Sequence, residues 1–402
     1  VYFRTLMNYR KIKADKLFDG YGFQNDKILV IDEKGKVKDI VPLEQAGDDI
    51  ETREGILSPG LINCHCHLEL SHMRGLIPEK TGLVDFVFKV VTERFHSEEE
   101  IINSINAAEE EMFKNGIVAV GDICNNTHTL AQKQKGRLRY YNFIEASGWT
   151  PSVSGMRFDR ARSVYSQFQS SGIKNKSSIV PHAPYSVSEN LWQAIQPFFK
   201  DKVISIHNQE TDFEDEFFLS GGGDFTRMYR LMNIDNAHHR PTNKTSLKSY
   251  YNKLEEAQNI LLVHNTFTGE EDVKFIKNTN RHGSENVDNS QQVSCTYFCI
   301  CVNANLYIEN ALPPVELFRK HNCNLVLGTD SLASNWSLDI MSEIRSIRKH
   351  FPAIPLEELL RWATLNGARA LTMDEELGSF EQGKSPGIIL INENDLTIER
   401  LI

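Results

Sequence analysis

The feature that most constrains this chain is a series of eight short apolar runs with helix-length stretches between most of them. They occupy residues 61–67, 117–122, 139–145, 178–182, 203–207, 260–264, 293–302 and 324–330. Runs this short and this continuously apolar read as strands buried on both faces. Between them, helical patterns fall at 101–115, 189–199, 247–257, 314–321 and 337–350. Strands alternating with helices imply an α/β fold with a parallel (β/α)8 TIM-type barrel. Both ends of the chain read as β-structure instead. Lys27–Asp32, a turn at Glu33 to Lys36 and an apolar stretch from Val37 form a hairpin pattern, and 387–391 is a further strand.

Bulk properties narrow the function classes. The chain has 402 residues, 40% hydrophobic and 24% charged, enough for a large core and a smaller unit beside it. A formal net charge of −10 disfavours nucleic acid or an anionic membrane as a partner. No apolar run approaches the ~20 residues of a membrane span, and the first residues do not read as a signal peptide. Seven cysteines without a pairing pattern fit reduced thiols and a cytoplasmic location.

Histidines punctuate the apolar runs. His65 and His67 close the first, His182 the fourth, His207 the fifth and His264 the sixth, while Asp330 closes the eighth. In a parallel barrel all carboxyl ends of strands meet on one face, so these residues converge. Strand side chains alternate, which puts His65 and His67 on the inner face and turns Cys64 and Cys66 outward. Imidazoles plus a carboxylate suit zinc, with iron as the alternative. Among the other histidines, His72, His96, His128, His282, His321 and His350 read as surface or core residues.

The motifs resemble a known family. Ser58-Pro59-Gly60-Leu61-Ile62-Asn63-Cys64-His65-Cys66-His67 is similar to the opening motif of the amidohydrolase superfamily. His182-Ala183-Pro184-Tyr185-Ser186, His207-Asn208-Gln209-Glu210 and Leu327-Gly328-Thr329-Asp330 resemble segments of its cytosine/adenosine deaminase and triazine hydrolase branch. The resemblance implies a barrel over 58–373 and a small β-sandwich built from 1–57 and 374–402. It implies one divalent ion on His65, His67, His207 and Asp330, because the fourth run carries His182 and no lysine that could bridge two ions. It further implies Glu210 as proton shuttle, His264 at the reacting group, Asp330 as proton acceptor and His182 as a substrate contact.

Two departures from the pattern stand out. Leu70 occupies a position where many deaminases of the branch have a base-contacting glutamine. The neighbouring His67-Leu68-Glu69-Leu70-Ser71 is reminiscent of aminofutalosine deaminases, with Glu69 either a substrate contact or a structural ion-pair member. After the seventh run, Cys301-Val302-Asn303 replaces the family's usual Cys-Pro. The expected activity is hydrolytic deamination of an aminated aromatic base or nucleoside-like small molecule. A chlorohydrolase or cyclic-amide hydrolase using the same site, and a non-catalytic barrel scaffold, are the rivals. Specificity is expected from rim loops at 71–95 and 212–245, with Phe86, Trp149, Phe225 and Tyr297 as aromatic candidates. Family analogy gives a homodimer.

Overall fold

The computed structural model describes residues 9–172, 175–285 and 295–402. Counting the strands of the central α/β body, β1 is Leu61–Cys66, β2 Ile117–Cys124, β3 Arg139–Ala146 and β4 Lys176–Pro181. The second half contributes β5 Val203–Asn208, β6 Asn259–His264, β7 Cys295–Ile300 and β8 Asn324–Leu327. They form two four-stranded parallel sheets, ordered β4-β3-β2-β1 and β5-β6-β7-β8. All eight predicted strands are present. The start of the seventh predicted run at Val293, the side chain of His282 and the N-terminal residues 1–8 lie outside the described residues.

The sheets meet at their carboxyl ends. On one side Cys66 and Asp330 form a parallel bridge, and the His65 carbonyl accepts from both Thr329 N and Asp330 N at 3.0 Å. Asn63 secures this seam from inside, donating to Thr329 Oγ1 at 2.8 Å and accepting from Thr329 N at 3.1 Å. On the other side His207 N donates to the His182 carbonyl at 3.0 Å. The arrangement is TIM-barrel-type. Its apolar strands are buried because helices cover their outer faces.

The helix Glu98–Lys114 shows how the sequence sets such an element. Ser97 caps it, with its hydroxyl accepting from Glu100 N and the Glu100 carboxylate accepting in return from Ser97 N. Three glutamates lie in its first turn, where the helix dipole favours negative charge. Ile101, Ile105, Ala108 and Met112 recur at helical spacing and are buried. Gly116, at φ +76°, turns the chain into β2.

Other helices deviate from expectation. The stretch 189–199 divides into Glu189–Ile195 and a 3-10 turn Gln196–Phe198, because Pro197 has no N–H to continue the ladder. Likewise 247–257 becomes Ser246–Tyr250 and a 3-10 turn Tyr251–Leu254. The last predicted helix starts later, at Ile340, where Asp339 accepts from Met341 N. The predicted rim loops are also partly helical, containing Leu83–Glu93, Phe213–Ser220 and Phe225–Leu231.

Strands from the chain ends share a five-stranded sheet, in which Ile388–Ile391 pairs antiparallel with Ile56–Pro59 and with Ile398–Arg400. A four-stranded sheet of Val37–Pro42, Lys27–Asp32, Tyr9–Lys13 and Ile50–Thr52 packs near it. Ile12, Leu29 and Ile31 of this second sheet share one apolar cluster with Leu17, Leu57, Ile388 and Leu390 of the first.

Gly328 marks where the β8 end approaches β1 too closely for any side chain. A Cβ there would lie 2.8 Å from His65 Cβ and 2.9 Å from Cys299 Sγ. Gly328→Ala is therefore expected to destabilise the protein by about 1–3 kcal/mol through overpacking, measured by denaturant unfolding. An unchanged midpoint would show that the seam tolerates the bulk.

Candidate active site

Six of the side chains expected at strand ends meet at one place. His65 Nε2 lies 3.2 Å from His67 Nε2, and His67 Nε2 lies 3.4 Å from His207 Nε2. Asp330 Oδ1 stands 3.4 Å from His65 Nε2 and 3.2 Å from His67 Nε2. His264 joins the group, since one ligand atom from each of His65, His207, His264 and Asp330 falls within 4.8 Å of the others. Glu210 Oε1 lies 3.6 Å from His264 Nε2. His182 sits at the edge, its ring 4.7 Å from that of His207.

Those spacings test whether a metal ion fits. Ligands about 2.0–2.1 Å from a tetrahedral zinc-like ion stand about 3.3 Å apart, the separation kept by the His65–His67, His67–His207, His65–Asp330 and His67–Asp330 pairs. Protonation also fits. Burial, helped by neighbouring imidazoles, lowers His67 to about 3 despite Asp330, and His182 to about 4. His207 and His264 are lowered too, chiefly by burial, so these rings are neutral and offer lone pairs. Burial opposes ionisation of Asp330, yet the hydrogen bond from His65 and the nearby imidazoles hold its carboxyl well below the usual range. His264 Nε2 is buried without a hydrogen-bond partner.

The supporting shell fixes each ring. His207 Nδ1 faces the His182 carbonyl at 2.7 Å, which leaves Nε2 for the centre. His264 Nδ1 faces Asn305 Oδ1 at 2.9 Å. Ser334 Oγ donates to Asp330 Oδ2 at 2.6 Å, and His182 Nδ1 faces Ser186 Oγ at 2.8 Å. His264 at φ +72° and Asp330 at φ +59° occupy the left-handed region, backbone strain held where the side chains converge. Glu210 behaves differently from Asp330. Burial, then the charges of Asp330 and Glu309, push its carboxyl well above the ordinary range.

Beyond this centre opens a cavity of about 870 Å³, lined by His67, Glu69, Glu145, His182, Glu210 and Trp149 among others. Both expected rim segments reach it, through Leu83 to Arg94 and Met228 to Asp235. Of the aromatic candidates, Phe86 and Trp149 line it, with Trp149 stacked on Tyr229. Phe225 is buried against Tyr185, and Tyr297 is buried on β7; neither lines the cavity. Leu70 and Glu69 both line it, so the unusual motif after β1 faces the substrate space.

Some contributors are not evident from the sequence. Glu145, the penultimate residue of β3, is buried, with Oε1 3.6 Å from His207 Nδ1. Lys133 forms a fully buried ion pair with Asp122 at 2.5 Å, and Asp122 accepts from Leu68 N at 2.9 Å. That pair holds the chain just after His67. Asn305 lies two residues past the altered Cys301-Val302-Asn303 and orients His264. Of the seven unpaired cysteines five are buried, Cys323 is half-buried and Cys295 is exposed. No helix among the described residues is long and apolar enough to cross a membrane.

Parallel strands delivering imidazoles and carboxylates to one cavity define a metal-dependent hydrolase of the TIM-barrel type. The amidohydrolase family model matches residues 56–400, and the chain belongs to that family. It is 26% identical over 400 residues to 5-methylthioadenosine/S-adenosylhomocysteine deaminase of Teredinibacter turnerae, covering 94% of this chain and 81% of that one. The structure resembles Helicobacter pylori aminofutalosine deaminase in complex with methylthio-coformycin, with TM-score 0.76, 22% identity and coverage of 98% and 93%. It also resembles zinc-complexed atrazine chlorohydrolase from Arthrobacter aurescens, with TM-score 0.70, 15% identity and coverage of 96% and 87%.

Two measurements follow. Lys133→Met leaves Asp122 buried and unpaired, and should cost about 3–5 kcal/mol in denaturant unfolding. A loss below about 1 kcal/mol would mean that the pair does not brace this region. His207→Ala should purify with at most a small fraction of the metal bound to the parent protein, read by elemental analysis. Full occupancy would remove His207 from the ligand set.

Proposed function

We propose that this chain is a metal-dependent aminohydrolase that hydrolyses the exocyclic amino group of an adenine nucleoside or closely similar aminated heteroaromatic compound. It is a hydrolase acting on a carbon–nitrogen bond. The observation that carries the reading is geometric: buried Glu210 stands 3.6 Å from His264 Nε2, and both face one cavity with Asp330, burial pushing the Glu210 carboxyl up while the imidazoles hold that of Asp330 down.

His65, His67, His207 and Asp330 would hold one ion, zinc or iron. When bound, such an ion supplies Lewis acidity and lowers the pKa of a coordinated water from about 15.7 toward about 7. Glu210 then has the position and protonation state to give its proton to a ring nitrogen, and afterwards to assist the departing amine. Asp330, held ionised, takes a proton from the attacking water. His264 stabilises charge as the reacting carbon becomes tetrahedral. His182, fixed by Ser186, contacts the ring, and Glu69 a more distant part of the substrate.

The cavity volume of about 870 Å³ favours a compound larger than a free base. Arg94, Arg157 and Arg160 line it, and none forms an ion pair with a carboxylate among the described residues. Burial and the mutual charge of these arginines lower Arg157, so an anionic group on the substrate would relieve the site. The Teredinibacter turnerae relative is named for deamination of 5-methylthioadenosine and S-adenosylhomocysteine, the second of which carries a carboxylate.

The same reading extends to the architecture. The two parallel sheets would close as one barrel over 58–373, with 1–57 and 374–402 forming a small β-sandwich. A cytoplasmic location and a homodimer belong to it as well.

Ammonia release should be assayed against adenine, adenosine, 5′-methylthioadenosine, S-adenosylhomocysteine, cytosine and chlorinated triazines. Deamination of at least one adenosine derivative is expected, with an acidic 5′ substituent preferred. Chloride or a ring-opened acid with no ammonia would replace the deaminase reading by the chlorohydrolase or cyclic-amide one. Glu210→Gln should keep its metal and lose at least about 10²-fold in kcat, the lower end of what a positioned acid–base contributes. Metal loss in that variant would instead make Glu210 a ligand.

A further inference from the structure

A second carboxylate centre faces the cavity beside the metal ligands. Glu145 and Glu69 both line it and are buried, at 7% and 3% exposure. Asn125 ties them together. Its side-chain amide donates to Glu145 Oε2 at 2.9 Å, and its backbone N–H donates to Glu69 Oε2 at 3.0 Å. Glu145 Oε1 is left without a hydrogen-bond partner. A buried carboxylate oxygen in that state is costly, so something in the working enzyme should donate to it.

Neighbouring protein groups do not serve. His207 Nδ1 lies 3.6 Å away and is already engaged with the His182 carbonyl at 2.7 Å. His182 Nδ1 is engaged with Ser186 Oγ. A second cation on Glu145, His182 and His207 would therefore compete for nitrogens whose protons or lone pairs are committed elsewhere. Arg94 favours ionisation of Glu145 from a distance but forms no ion pair with it. The missing partner is thus a donor that arrives with the substrate.

Its chemistry follows from the acceptors. Burial pushes both carboxyls up to about 7, yet in either protonation state each keeps an acceptor oxygen, and two of them braced by one asparagine present acceptors to adjacent donors. Ala146, next to Glu145, pairs with Pro181 in the β3–β4 register, and His182 follows directly. Glu145 therefore neighbours the ring-contacting histidine, on the wall where a substituent of the ring would lie. We infer that Glu145 and Glu69, joined through Asn125, form an acceptor pair for the vicinal hydroxyls of a sugar, making the enzyme selective for nucleosides over free bases. Glu145 is the principal contact. The inference rests on the deaminase reading above.

Adenosine and 2′,3′-dideoxyadenosine, which differ only in the two hydroxyls, provide the test. The parent enzyme should favour adenosine in kcat/KM by at least about 10²-fold, as expected of a site that leaves buried acceptors unpaired when a hydroxyl is missing. Glu145→Ala should lose most of that ratio by slowing adenosine alone, with metal content unchanged. If that variant does not fold, Glu145→Gln, which keeps the shape and one acceptor, should reduce the ratio about tenfold. An equal loss on both substrates, loss of metal, or an undiminished ratio would each overturn the assignment. Ammonia from both compounds at equal rates in the parent would overturn it while leaving the deaminase reading intact. No ammonia from any adenine compound would remove the deaminase reading and this inference with it.

Discussion

The seam between β1 and β8 is the constraint on which the rest of the site depends. The two strands belong to different sheets, yet the His65 carbonyl accepts two successive N–H groups from the β8 end, and Asn63 exchanges two hydrogen bonds with Thr329. These bonds fix where Asp330 begins. Its positive φ then turns the carboxylate back toward His65 and His67, and Ser334 holds the second oxygen. Gly328 is required because the same approach leaves no room for a side chain. A ligand set drawn from both ends of a 270-residue stretch thus has its geometry set by a handful of backbone contacts.

Electrostatics divides the labour among residues of similar type. Asp330 and Glu210 are both buried carboxylates facing one cavity, but imidazoles surround the first and oppose its protonation, whereas burial, then the charges of Asp330 and Glu309, push the second up. Placement alone shifts the two carboxyls in opposite directions, the arrangement acid–base chemistry at neutral pH uses. Beneath them lies a further layer of buried acids. Glu214 receives Gln209 N and Ser246 Oγ, and Glu343 receives Asn303 N and the Asn335 amide. These hold the segments after β5, β7 and β8 without entering the cavity.

How much of this was legible in the sequence depends on whether a residue's role follows from its neighbours in the chain. The strands were legible because burial on both faces forces continuous apolar runs, and the histidines because they interrupt those runs at one end. Lys133 was not. Gln132-Lys133-Gln134-Lys135 reads as a solvated stretch, and only the fold shows that Lys133 turns inward to Asp122. Glu145 was hidden in the same way, as one acid closing Tyr141-Asn142-Phe143-Ile144, since nothing local says that an oxygen will lack a partner. The rim helices Leu83–Glu93 and Phe225–Leu231 escaped notice because their apolar faces pack on the cavity wall and on each other, not on the main core.

That separate packing has a functional consequence. The apolar cluster of Met73, Leu83, Val84, Trp149, Phe217, Tyr229 and their neighbours is distinct from the large core around the strands. The strand ends that carry the chemistry are therefore anchored in one body of packing, and the walls that meet the substrate's outer part in another. Arg227, on the rim helix Phe225–Leu231, ties it to Leu83–Glu93 through Asp85 at 2.7 Å, so the two rim segments are linked to each other. Changes confined to this layer can reshape the cavity without moving His65, His207 or Asp330, because the bonds that place those residues run through the seam and the strands. An arrangement of this kind lets one metal-binding floor serve different leaving groups and substrates while its own geometry stays fixed.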